Sequence, residues 1–245
     1  MACLFVTCLG DTFYPGAVRA TVNVLRRFGV EVVCPQDQTC CGQPMFNAGY
    51  FEQSREAARY FIDVFRRTSD PVIAPSSSCV SMIRHSYSKL FADEPDYLRA
   101  AGELADRTWE FSEYLVKKLN INLGELGARF EDSVTYHYSC HFRPLGIVDE
   151  PITLIGQIAG IDYRPIERLR QCCGFGGTFS LNFPEVSEAI VRDKVECIGR
   201  TGANWLIFSD AGCAMNITGY AHRAGRPIKA MHLAELIDRS LGEQS

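Results

Sequence analysis

An α/β fold, built as two pseudo-repeated Rossmann-like domains with mostly parallel sheets, is what this sequence predicts. Three observations predict it. Short apolar runs alternate with segments of helical periodicity along all 245 residues. One cysteine pattern occurs twice, about 132 positions apart. Its members fall at or near the ends of expected strands, which is where open α/β sheets bind their ligands.

The elements follow in order. Residues 4–7 (LFVT) read as a short buried strand ending at Cys8. Residues 14–28 read as a helix, with Pro15 in its first turn and Gly29 as its stop. Residues 30–33 (VEVV) form a second strand. Residues 34–49 (CPQDQTCCGQPMFNAG) are too polar and too rich in glycine and proline for either state, and read as loop. Residues 51–67 are helical, because Ala58, Phe61, Ile62 and Phe65 recur at i, i+3, i+4 and i+7. PVIAP (71–75) is a buried strand, PSSSC (75–79) a turn, and 80–91 a helix. Residues 92–130 read as helical and charged, with an apolar stripe of Phe111, Leu115 and Leu119 that ends at Gly124 and Gly127. The domain boundary is placed there, giving domains 1–125 and 126–245.

The pattern then restarts. Residues 134–138 are a strand ending at Ser139-Cys140, 152–159 a helix, and 162–166 a short strand. RQCCGFGGT (170–178) is a glycine-rich loop. Residues 184–200 are a helix with Val191, Val195 and Ile198 on one face. WLIFSD (205–210) is a buried strand, DAGC (210–213) a turn, and 214–224 a helix. A strand at 227–231 and a helix at 232–241 complete the series.

Subtraction exposes the repeat. Cys8 to Cys40 spans 32 positions, and so does Cys140 to Cys172. Both second members open the tripeptide Cys-Cys-Gly, at 40–42 and 172–174. Cys79 lies 38 positions past Cys41, and Cys213 lies 40 past Cys173. Of the 11 cysteines, eight fall into two matched quartets: Cys8, Cys40, Cys41 and Cys79, then Cys140, Cys172, Cys173 and Cys213. Cys3, Cys34 and Cys197 stand outside the pattern and read as core or incidental thiols.

Four converging thiols point to a soft metal site. Four cysteines are the usual complement of a [4Fe–4S] cluster. Adjacent cysteines are awkward for one small tetrahedral ion, whereas a cluster accepts them on different irons, so iron–sulfur, in one or two clusters, is favoured over zinc. Zinc sites usually show C-x2–4-C spacing. Zinc remains an alternative, as does a thiol–disulfide switch at the vicinal pairs. Candidates for supporting roles are Ser76, His137, His141 and Asp210. His137 and His141 flank Cys140 and can ligate, donate to a cluster sulfur, or be ordinary structural histidines. Asp210 can cap the helix after it or face the cluster. Arg143 can tune the second site or face solvent.

Composition excludes other classes. A net charge of −4 argues against a nucleic-acid surface. The longest apolar candidate, 152–161, is broken by Gly156, Gln157 and Gly160, so no membrane span is expected. MACLFVTCLGD lacks the basic start of a secretory signal. The chain therefore reads as cytoplasmic, where thiols stay reduced and clustered cysteines serve metal or redox chemistry. There is no G-x-G-x-x-G, hence no expected nucleotide or flavin site.

FVTCLGD, QTCCGQPMFNAG and PSSSCVSMIRH in one half, with YHYSCHFRPLGI, QCCGFGGTFS and SDAGCAMNITGY in the other, resemble the CCG cysteine-rich domain family. That family includes the CCG-bearing component of heterodisulfide reductase and the iron–sulfur component of glycolate oxidase. The resemblance extends to the lactate utilization protein A branch, short chains of two such domains. The resemblance implies that the eight repeated cysteines ligate iron–sulfur clusters. It also implies an electron-transfer role in oxidising L-lactate to pyruvate, with a ferredoxin-type iron–sulfur protein and a further subunit as partners. Glycolate or another 2-hydroxy acid is the alternative substrate. The fuller family motif ends in Cys-x-x-Cys, and the first of those positions is Ser76 here in one half and Asp210 in the other. That departure implies a conventional [4Fe–4S] cluster or an oxygen-ligated variant.

Overall fold

The apolar runs of each half form four parallel strands, as the repeat requires. The computed structural model describes residues 1–242. The first half supplies β1 (Ala2–Leu4), β2 (Val32–Val33), β3 (Val72–Ala74) and β4 (Thr108–Glu110), in the order β2-β1-β3-β4. The second supplies β5 (Ser133–Tyr136), β6 (Asp162–Tyr163), β7 (Trp205–Phe208) and β8 (Lys229–His232), in the order β6-β5-β7-β8. Position for position the two orders are the same, and every pairing is parallel. The expected α/β architecture of two Rossmann-like sheets is the one adopted. Central strands β1, β3, β5 and β7 are buried almost throughout, as parallel strands covered by helices must be.

The core is continuous between the halves. Phe5, Phe61, Phe65 and Tyr87 of the first half belong to the same apolar cluster as Tyr136, Leu236 and Ile237 of the second. A smaller cluster, with Val191, Val195, Ile198 and Ile217, lies within the second half alone. The helix Leu233–Ser240 packs on the helix Pro15–Arg27 of the first half. The contact is close: a Cβ on Gly16 would lie 2.6 Å from Glu235 Oε1. Arg27 donates to the Leu241 and Gly242 carbonyls, both at 2.5 Å, and Asn23 donates to Asp238 at 2.9 Å.

Four expectations need correcting. Residues 92–130 are not one helical stretch. A helix at Pro95–Asp106 gives way to strand β4, which pairs with β3 and completes the first sheet. Residues 34–49 are not all loop, because Gln43–Asn47 forms a short helix started by Pro44. PSSSC and DAGC are not turns before helices. Helices begin at Ser77 and Ala211, so Cys79 and Cys213 each lie in a first helical turn. Finally, the expected helix 80–91 contains a π-helical turn at Met82–Ser86. Among the described residues, no helix is long and apolar enough to cross a membrane.

Candidate metal centre

Parallel strands point their carboxyl ends to the same edge, and the segments that follow three strands of each sheet form the quartets there. Cys8 opens the helix Cys8–Phe13 just beyond β1, and Cys140 follows β5 in the same way. Cys79 and Cys213 enter from the helices after β3 and β7. The Cys-Cys-Gly turns arrive from the loops after β2 and β6.

Those turns depend on their glycines. Gly42 has φ +85° and Gly174 φ +83°, a region L-residues rarely enter. A Cβ would come within 3.1 Å of the Ser54 carbonyl in one half and 2.7 Å of the Ser187 carbonyl in the other. Both serines fasten the turn they crowd. Ser54 Oγ donates to the Gly42 carbonyl at 3.1 Å, and Ser187 Oγ to the Gly174 carbonyl at 2.9 Å. The second cysteine of each pair is held through its carbonyl, by Tyr87 Oη on Cys41 at 3.0 Å and by Asn216 Nδ2 on Cys173 at 2.8 Å. These four holding residues were not legible from the sequence. The repeat offset pairs the two serines in retrospect, but the Tyr/Asn solution differs between halves and left no signal.

All 11 cysteines are free thiols. Cys8 and Cys40 sulfurs lie 3.8 Å apart. Hydrogen bonds from the Cys41 and Cys8 thiols and the Gly42 N–H draw the Cys40 thiol down to about 3. In the second half, Cys140, Cys173 and the Gly174 N–H draw Cys172 down to about 2. Cys8 and Cys140 are pushed up, chiefly as donors to those sulfurs, and Cys41 and Cys173 are pushed up the same way. In each quartet the first cysteine of the adjacent pair is thus the one whose deprotonation is favoured, and the thiolate is the form that binds metal.

The eight repeated cysteines line one cavity of about 360 Å³. The two quartets therefore face a shared space. Ser76, His141 and Asp210 also line it. Asp210 does not cap its own helix. Its Oδ2 instead accepts from the Ser78 N–H at 2.9 Å and the Ser77 hydroxyl at 3.1 Å, across the junction of the halves. Ser76 caps the Ser77–Ser81 helix through the Cys79 N–H at 3.5 Å. Ser77 Oγ also lies 2.8 Å from Ser139 Oγ, and Gln43 Nε2 lies 3.1 Å from His141 Nε2. His141 Nδ1 is 3.7 Å from Cys140 Sγ.

His137 is 1% exposed, and neither ring nitrogen has a hydrogen-bond partner. A ligand atom of His137 lies within 4.8 Å of the Cys173 and Cys213 sulfurs, and those two within 4.8 Å of each other. Burial pushes its imidazole down to about 3, so it is neutral with one N–H to give. An orphaned buried imidazole beside two thiols fits a bound metal group. Arg143 turns away to the Arg170 carbonyl. Outside the quartets, Cys3 and Cys197 are core residues, 2% and 0% exposed, and Cys34 is half-buried.

The sequence model of the CCG cysteine-rich domain matches twice, at residues 2–84 and 134–218. The chain belongs to the CCG cysteine-rich domain family. Each match contains one quartet. Within the family, the chain is 44% identical over 96% of its length to lactate utilization protein A of Shouchella clausii, covering 97% of that protein. It is 43% identical to the protein of the same name from Bacillus licheniformis, covering 98% of it. A solved structure of a hypothetical protein from Helicobacter pylori superposes over the whole chain with a TM-score of 0.65. At 12% identity and 49% of that protein's length, the likeness speaks to the fold alone.

Proposed function

We propose that this chain is an iron–sulfur electron-transfer subunit of a complex that oxidises L-lactate to pyruvate. One observation carries the reading: two thiol quartets face one cavity, each built by the same strands and the same Cys-Cys-Gly turn. Cys8, Cys40, Cys41 and Cys79 would hold one [4Fe–4S] cluster, and Cys140, Cys172, Cys173 and Cys213 the other. The bound clusters would supply one-electron chemistry. The protein's own part is to present the thiols, exclude water from Cys41, Cys79, Cys173 and Cys213, and set the local charge. The lactate-utilization names of the relatives support the substrate. A ferredoxin-type iron–sulfur protein and a further subunit complete the proposed complex in the cytoplasm.

The test is anaerobic purification followed by a visible spectrum and assays of iron, sulfide and zinc. A brown protein with about four irons per quartet supports the reading. A metal-free protein with titratable disulfides overturns it. A second reading, zinc in the second half, rests on the His137–Cys173–Cys213 group, and a colourless zinc protein decides for it. Growth of a deletion strain on L-lactate or glycolate as sole carbon source separates the two substrates.

A further inference from the structure

The two quartets stand on different foundations. The helix Phe51–Phe65 buries Ala58, Phe61, Ile62, Val64 and Phe65. The helix Pro184–Thr201 buries Val191, Lys194, Val195, Cys197 and Ile198, each 133 positions further on. Lys194 therefore stands where the first half has Phe61. The strands repeat the contrast: Phe5 lies three residues before Cys8, and His137 three before Cys140. In the first half Phe5 and Phe61 pack edge to face, with ring centroids 4.6 Å apart. In the second the corresponding pair is a histidine and a lysine.

Both members of that polar pair are buried, Lys194 at 0% and His137 at 1% exposure. Lys194 Nζ donates to the Leu169 carbonyl at 3.1 Å. One neutral acceptor does not compensate a buried cation, which needs nearby negative charge. Burial pulls the Lys194 amine below its ordinary value, and the nearby sulfurs of Cys197, Cys173, Cys213 and Cys172, three of them from the quartet, oppose that by favouring its charge. His137 brings an unused ring nitrogen to Cys173 and Cys213. Positive charge and hydrogen bonds to sulfur both stabilise the reduced, more negative state of a thiolate-bound cluster. Phe5 and Phe61 offer neither.

Resting on the cluster reading above, we infer that His137 and Lys194 make the second quartet the higher-potential centre of an unequal pair. An electron shared between the two then settles in the second half. The first centre is oxidised by one electron, the second is reduced by one, and no proton or further reactant is consumed. His137 and Lys194 are tuning residues in this scheme, with no contact to a substrate.

The experiment uses the full chain, loaded anaerobically with ferrous iron and sulfide. Iron and sulfide are assayed first, and failure to incorporate them sinks the cluster reading itself. The loaded protein is then titrated with dithionite against redox mediators and followed by electron paramagnetic resonance. Cys41→Ser and Cys173→Ser assign each wave to a half. We expect two waves, with the higher one retained in Cys41→Ser and lost in Cys173→Ser. The electron should favour the second half at least tenfold, about 59 mV for a one-electron couple. Lys194→Met and His137→Gln should each lower that wave and leave the other in place. His137→Phe with Lys194→Phe, which copies the first half, should bring the two together. If this double variant fails to fold, the single variants decide. Iron confined to one half, coincident waves, a higher wave surviving in Cys173→Ser, or no response to Lys194→Met and His137→Gln overturns the inference.

Discussion

Asp210 of the second half accepts the backbone N–H of Ser78 in the first, at 2.9 Å. A carboxylate next to one quartet thus caps the helix that carries Cys79 of the other. At 5% exposure it is shielded from water, and it also holds the Ser77 hydroxyl. Asp210→Ala strands the Ser78 N–H and leaves the Ser77 hydroxyl with Ser139 alone, at a cost of roughly 1–3 kcal/mol. The expected outcome is a fall in Tm of about 3–10 °C for a chain of this length. Asp210→Asn keeps an acceptor oxygen and should lose less. Thermal unfolding by circular dichroism measures both, and an unchanged Tm in Asp210→Ala would refute the cap.

Gly174 and Gly42 should not tolerate a side chain equally. Both have positive φ, which costs an alanine roughly 1–2 kcal/mol. The new Cβ would lie 2.7 Å from a backbone carbonyl at Gly174 but 3.1 Å at Gly42. Gly174→Ala should therefore lose more stability and more bound iron than Gly42→Ala. Parallel Tm and iron assays on the two variants give the ranking, and the reverse order contradicts it.

Cys41→Ser and Cys173→Ser should each remove the iron of one quartet and spare the other, leaving about four irons where the unaltered chain holds about eight. Simultaneous loss of both quartets from either variant would show that the shared cavity loads as one unit.

Glu110 makes stability depend on pH. It ends β4 with 0% exposure and accepts from the Ser112 and Glu113 N–H groups at 2.8 and 3.2 Å, while Oε1 has no partner. Burial pushes its carboxyl up to about 8. The folded pKa lies above the unfolded one, so the neutral acid favours folding. That contribution is complete below the ordinary carboxylate value near 4 and is lost as pH rises toward 8. The slope in that window approaches about 1.4 kcal/mol per pH unit. Glu110→Gln should flatten the Tm–pH profile between pH 5 and pH 8, and a profile as steep as before would exclude Glu110 as its source.

Much of this was legible because chemistry repeats more faithfully than shape. The Cys-Cys-Gly tripeptides and their matching outliers located both quartets, and the apolar runs located seven of the eight strands. Strand β4 escaped because Thr108–Glu110 is only three residues long and runs into Phe111, Leu115 and Leu119 at helical spacing. Its buried Glu110 also reads as a surface residue. Lys194 escaped for the same reason, since a lysine on a helix normally points to water. Its burial shows only when the two helices are set 133 positions apart and it falls on Phe61. Asp210 was read as a cap or a cluster neighbour, and capping a helix of the other half is a relation that no local pattern encodes.

The seating of the helix Leu233–Ser240 on the helix Pro15–Arg27 has a consequence in time. A ribosome completes the earlier helix about 200 residues before its cover exists. At roughly 5–20 residues per second, that is about 10–40 s during which the Gly16 side of the nascent chain stays uncovered. Cys40, Cys41 and Cys79 are translated within that interval, so the first thiol quartet is complete in sequence before the Gly16 side is covered.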